Sequence, residues 1–178
     1  MYPRGMAART DIFDLGRLRL SSGEGRRLSL AVPLGEFDFG GERYAPEPPM
    51  VDATLDVSRM TGGGYALRLR FEAGLSGPCM RCLEPAAPVV AVDVREVHQP
   101  GGGEELLSPY VADQDLDLSA WAHDAYALAL PSQVVCTPEC AGLCPECGEN
   151  LNTAGPEHHH DPAPDPRWAK LRELRFDS

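Results

Sequence analysis

Six cysteines carry the chemistry this 178-residue sequence offers. Cys79 and Cys82 enclose two residues, and Cys136, Cys140, Cys144 and Cys147 follow within twelve positions. Thiolates at these spacings are soft ligands suited to zinc. Cys144-Pro145-Glu146-Cys147-Gly148 has the form of a zinc knuckle. Two residues between its sulfurs let both reach one ion at about 2.3 Å, and the glycine lets the backbone turn its N–H groups toward them. Residues 1–15 contain no apolar run of the kind a secretory signal needs, so a reducing, cytoplasmic setting is expected. There, dense cysteines hold metal more often than they pair as disulfides.

Zinc takes four ligands, and six cysteines leave the choice open. Cys136, Cys140, Cys144 and Cys147 could form one shell and leave Cys79 and Cys82 as a reduced pair. Alternatively, Cys79 and Cys82 join two of the later cysteines in the manner of a zinc ribbon, which would clamp segments more than fifty positions apart. One zinc ion is expected. A second site completed by His158, His159 or His160 is a further option, but three histidines in a Pro-flanked polar loop read first as solvated side chains.

The remaining chemistry is sparse. The glycines at 62–64 and 101–103 are not followed by the Lys-Ser/Thr of a phosphate loop, and neither Gly-x-Ser-x-Gly nor His-Glu-x-x-His occurs. An all-cysteine zinc shell is closed and structural, so no catalytic residues are assigned and the chain reads as non-enzymatic. A thiol redox or metal-transfer role for Cys79 and Cys82 is the alternative. Pro85 and Pro88 follow that pair where a helix would be needed to lower a thiolate pKa.

The elements that must position the cysteines follow from periodicity. Apolar residues occupy alternate positions over 51–57 and again over 65–71, with Thr61-Gly62-Gly63-Gly64 between them, which predicts a β-hairpin. A third strand over 89–97 follows the Cys79–Cys82 turn, and Leu18, Leu20, Leu28, Leu30 and Val32 suggest edge strands. Leu118, Trp121, Ala122, Ala125, Leu128 and Ala129 recur at helical spacing, with Asp117 or Ser119 as N-cap and Pro131 as the stop. The fold class is therefore α+β: a small antiparallel β-meander, with barrel-like closure left open, one or two helices and a C-terminal zinc knuckle. Residues 1–34 read as a basic arm with edge strands, 35–50 as a Pro/Gly-rich loop and 51–151 as the core. Residues 152–178 read as a flexible His-rich loop and a short helix carrying Trp168, Leu171 and Leu174.

A net charge of −11 argues against non-specific coating of nucleic acid. The charge is uneven, however: residues 1–30 carry six arginines against three acids, and residues 31–164 six against twenty-one. A basic arm on an acidic body suits contact with RNA at the arm and with a basic protein elsewhere. A zinc-stabilised interaction module without RNA contact is a further alternative that the acidic charge keeps open. No run of eighteen apolar residues suggests a membrane span, and no small-molecule substrate is implied.

Taken in order, the motifs carry a resemblance. Cys79-Met-Arg-Cys82-Leu-Glu84, Asp115-Leu-Asp117-Leu118, His123-Asp124-Ala125, Leu128-Ala-Leu130-Pro131, the run from Cys136 to Gly148, and Asp165-Pro-Arg167-Trp168 together resemble the bacterial YceD family, the large ribosomal RNA subunit accumulation proteins, in the form found in high-GC Gram-positive bacteria. The fifteen arginines against one lysine suit a GC-rich genome. The resemblance implies a cytoplasmic factor in ribosome biogenesis that supports accumulation or processing of large-subunit ribosomal RNA, with ribosomal RNA or an assembling ribosomal protein as partner. It also implies Cys79, Cys82, Cys136, Cys140, Cys144 and Cys147 as metal ligands; Arg81 and Arg167, which stand in the matching motifs, are our own expectation for contact residues. Where some relatives have further cysteines, this chain has Glu157-His158-His159-His160, which keeps the ligand count open.

Overall fold

Alternation of apolar and polar side chains builds the central sheet. The structure is a computed structural model that describes residues 10–160, divided into two compact units over residues 1–140 and 141–178. In chain order the first unit contains β1 (Ile12–Asp14), β2 (Gly25–Pro33), β3 (Phe37–Phe39), β4 (Glu42–Glu47), β5 (Met50–Arg59), β6 (Tyr65–Pro78), β7 (Pro85–Ala86), β8 (Val89–His98), β9 (Val111–Ala112), β10 (Asp115–Asp117) and α1 (Leu118–Ala129). All strand pairings are antiparallel. Val51, Ala53, Leu55 and Val57 of β5 and Leu67, Leu69, Phe71, Ala73 and Leu75 of β6 all point into the core. Charged and polar residues between them face outward, as a half-buried sheet requires.

β6 organises the sheet. Its first half pairs with β5 on one side, its second half pairs with β4 on that side, and β8 and β7 line its other edge. β2 pairs with the outer edge of β5 from Gly25↔Ser58 to Pro33↔Met50. The sheet stays open and no closed barrel forms among the described residues. A second sheet of three strands, ordered β1-β10-β9, leads directly into α1. Asp117 caps that helix, its carboxylate accepting from the Ala120 N–H at 2.9 Å. α1 lays Leu118, Trp121, Ala122, Ala125 and Tyr126 into the core, and the Tyr126 hydroxyl donates to the Gly74 carbonyl at 2.7 Å.

Several expectations are corrected. Residues 35–50 are not a loop but contain β3 and β4, turned by Gly40 and Gly41 at φ +66° and +87°, the left-handed pair that a two-residue hairpin demands. Leu18 lies in a short 3-10 turn over Leu15–Leu18, started by the Asp14 carboxylate accepting from the Arg17 N–H, and Leu20 lies in no strand. Leu128 is 88% exposed. At about 100° per residue it falls just past the buried arc, and Tyr126 on the opposite flank takes the place assigned to it. The terminal helix with Trp168, Leu171 and Leu174, and Arg167, lie outside the described residues. Among the described residues no helix is long and apolar enough to cross a membrane.

The second unit is described over residues 141–160 and consists of turns. A single antiparallel bridge joins Leu143 to Asn150. The Gly148 N–H returns to the Cys144 carbonyl at 2.8 Å, and the Cys144 N–H donates to the Glu149 carbonyl at 2.8 Å. Gly148 occupies φ +76°, which explains a glycine at the end of the Cys-Pro-Glu-Cys run.

Candidate metal centres

The end of β6 delivers the first pair of sulfurs. β6 and β7 pair through Gly77↔Ala86 and Pro78↔Pro85, and the hairpin loop between them is Cys79 to Glu84. The Cys79 N–H donates to the Glu84 carbonyl at 2.7 Å and the Leu83 N–H to the Cys79 carbonyl at 2.9 Å, with Leu83 at φ +65° to close the turn. This geometry leaves both thiols on the inside of the loop, Cys79 fully buried and Cys82 4% exposed.

The chain beyond α1 brings the second pair. Cys79 Sγ lies 3.8 Å from Cys140 Sγ, and Cys82 Sγ lies 3.6 Å from Cys136 Sγ. All four sulfurs lie within 4.8 Å of one another. Disulfide sulfurs would sit about 2.05 Å apart, whereas sulfurs at the corners of a zinc tetrahedron with 2.3 Å bonds sit about 3.8 Å apart. All six cysteines are free. The donor set and its spacing thus fit zinc.

Arg81 ties the two halves of this cluster together. Its N–H donates to Cys79 Sγ at 3.4 Å, its Nη1 to the Cys140 carbonyl at 3.1 Å, and its Nε and Nη2 to Gln133 Oε1 at 3.1 and 3.0 Å. The neighbouring Met80 N–H donates to the Val134 carbonyl at 2.8 Å, and the Val134 N–H returns to Met80 Sδ at 3.3 Å. Arg81, expected to contact a partner, makes these bonds while remaining exposed. Burial raises the Cys79 thiol, but the backbone N–H groups of Arg81, Cys82 and Cys136 outweigh it and bring it down to about 6. The Glu84 N–H lowers Cys82, but burial and the nearby sulfurs of Cys140, Cys136 and Cys79 raise it to about 12, since adjacent thiols resist ionising together.

Cys144 and Cys147 form a separate cluster with His158 and His160, whose ligand atoms also lie within 4.8 Å of one another. Cys147 Sγ is 3.9 Å from His158 Nε2, and His158 Nδ1 is 2.8 Å from Glu149 Oε2. A hydrogen bond from His158 leads the contributions that bring Cys144 down to about 6, and the same contact raises the His158 pKa. His159 takes no part: its Nδ1 faces the Glu157 carbonyl at 2.8 Å. The geometry therefore sorts the six cysteines four and two, offers two places for metal where one ion was expected, and brings two histidines that read as solvated beside Cys144 and Cys147, His158 half-buried and His160 still exposed. Gln133 and Glu149 escaped the sequence reading, because neither belongs to a motif and their roles depend on segments distant from them or on a turn.

A match to the family described as large ribosomal RNA subunit accumulation protein YceD spans residues 67–175 and so includes both clusters. This chain belongs to the YceD family. An uncharacterized Mycobacterium tuberculosis protein is 41% identical over 104 residues, covering 55% of this chain and 49% of its own length. An uncharacterized Mycobacterium leprae protein is 35% identical over 102 residues, covering 54% of this chain and 46% of its own. A Zea mays protein named large ribosomal RNA subunit accumulation protein YCED homolog 1, chloroplastic, is 26% identical over 184 residues, 83% of this chain and 60% of that one. The chain spans about half the length of the mycobacterial relatives it matches. No solved structure matches it. The YceD family is named for a role in ribosomal RNA accumulation, not for a reaction.

Proposed function

We propose that this chain is a non-enzymatic, zinc-binding factor of the cytoplasm that supports accumulation or processing of large-subunit ribosomal RNA, by binding that RNA or an assembling ribosomal protein. Membership of the YceD family carries this reading. Zinc held by Cys79, Cys82, Cys136 and Cys140 would be structural, cross-linking the β6–β7 loop to the segment beyond α1 and keeping a fixed surface for the partner. A redox role for Cys79 and Cys82 draws no support from their burial, since exchange needs an accessible thiolate.

Deleting the gene in its own host tests the proposal. The ratio of large-subunit to small-subunit ribosomal RNA should fall, wild-type protein should restore it, and a Cys79→Ser, Cys140→Ser double variant should not. An unchanged ratio in the deletion strain would overturn the reading. Partners recovered from that host by crosslinking separate the two modes, because a protein partner survives nuclease treatment and an RNA partner does not.

A further inference from the structure

We infer that Cys144, Cys147, His158 and His160 form a second zinc site, independent of the four-cysteine cluster, in which His158 ligates through Nε2 with Glu149 as its orienting carboxylate. The donor set is the first ground. Two thiolates and two imidazoles within 4.8 Å of one another are a complete tetrahedral zinc shell. The sulfur and nitrogen corners of such a shell lie about 3.6 Å apart, close to the 3.9 Å between Cys147 Sγ and His158 Nε2.

A second, independent observation is the hydrogen-bonding of the far side of the imidazole. His158 Nδ1 sits 2.8 Å from Glu149 Oε2, which leaves Nε2 facing the sulfurs. Zinc-bound histidines commonly donate their other N–H to a carboxylate, which fixes the tautomer and strengthens the ligand. The register of the turn sets this up: the Cys144 N–H bonds the Glu149 carbonyl and Leu143 bridges Asn150, so Glu149 leaves the knuckle beside the returning histidines.

An ion pair between one thiolate and one imidazolium would require a single histidine. The structure supplies two, with the His158 and His160 rings edge to face at 4.9 Å between centroids. His158 keeps only 15% of its side chain exposed although residues 152–157, which lead to it, include no large apolar side chain. Convergence on a common ligand accounts for both facts. The four ligands all belong to the unit over residues 141–178, so the site does not borrow a residue from the sheet.

Native mass spectrometry of the full-length protein loaded with Zn(II) provides the test. Wild type should hold two ions, His158→Ala and His160→Ala one each, and His159→Ala still two. Glu149→Gln should keep the site but weaken its zinc affinity by about 10–100-fold in a competition titration. Cobalt substitution gives a readout that does not rest on variants, since the ligand-field spectrum of a two-sulfur, two-nitrogen site differs from that of a four-sulfur site. Two ions retained by His158→Ala, or one ion in wild type that is lost with Cys79→Ser and kept with His158→Ala, would overturn the inference. One ion in wild type lost with His158→Ala and kept with Cys79→Ser would leave it standing and remove the four-cysteine site instead.

Discussion

Asp56 shows how single side chains tie the exposed face of the sheet. Its carboxylate accepts from Arg27 on β2 at 2.6 Å and from Arg70 on β6 at 2.7 Å, so one acid on β5 joins three strands. The hydrogen bond from Arg27 leads the causes that hold its pKa below the ordinary 3.8. A carboxyl whose folded pKa is depressed stabilises the fold above its ordinary value, and that contribution disappears as pH falls through the depressed one. Asp56→Asn should therefore lower the urea midpoint slightly at neutral pH. The difference from wild type should shrink below about pH 4 and also at high salt, because Arg27 is largely exposed. A difference independent of pH would show that shape, not charge, carries the effect.

Among the elements, the junction of β4, β6 and β7 holds the cysteine loop in place. Tyr44 of β4 lies over Gly77 of β6 so closely that a Cβ on that glycine would meet its ring at 2.2 Å, and its hydroxyl donates to the Pro78 carbonyl at 2.9 Å, one residue before Cys79. Gly77→Ala should displace the ring and cost about 1–3 kcal/mol in chemical denaturation, with weaker zinc retention by the adjacent cluster. An unchanged midpoint would show that the ring has room to move. This junction also marks where sequence reading stopped. The hairpin of β5 and β6, the strand β8 and the helix α1 were legible because their apolar periods are long. β4 was hidden by Pro46 and Pro48, although Phe39-Gly40-Gly41-Glu42 is a hairpin turn on its face. The pairing of β1 with β10 joins three-residue strands a hundred positions apart, too short for any period. Spacing marked the cysteines as a metal set but not their partition, because the sulfur of Cys79 meets that of Cys140 only after the sheet and helix have folded between them.

For the molecule as a whole, charge and metal set different constraints. Of the six arginines of residues 1–30, Arg26 and Arg27 belong to β2 and pair with β5 along the sheet edge. Removing all thirty would damage the fold as well as any RNA contact. The two clusters differ in exposure: Cys79, Cys82 and Cys140 are buried, whereas Cys147 and His160 are open to solvent. A chelator added to the zinc-loaded protein should therefore remove metal in two phases, the faster one absent from His158→Ala. Only the slower phase should loosen the sheet unit, because that zinc links segments 61 residues apart. By analogy with a disulfide closing a loop of that length, the proposed link would contribute on the order of 4 kcal/mol, or a fall in Tm on the order of 10 °C when it is lost. Zinc release followed with a colorimetric chelator, alongside the melting temperature after each phase, checks both statements. A single phase that leaves Tm unchanged would mean that the four sulfurs are held together by the packing of β6, β7 and the segment after α1, and that metal contributes nothing to the stability of the sheet.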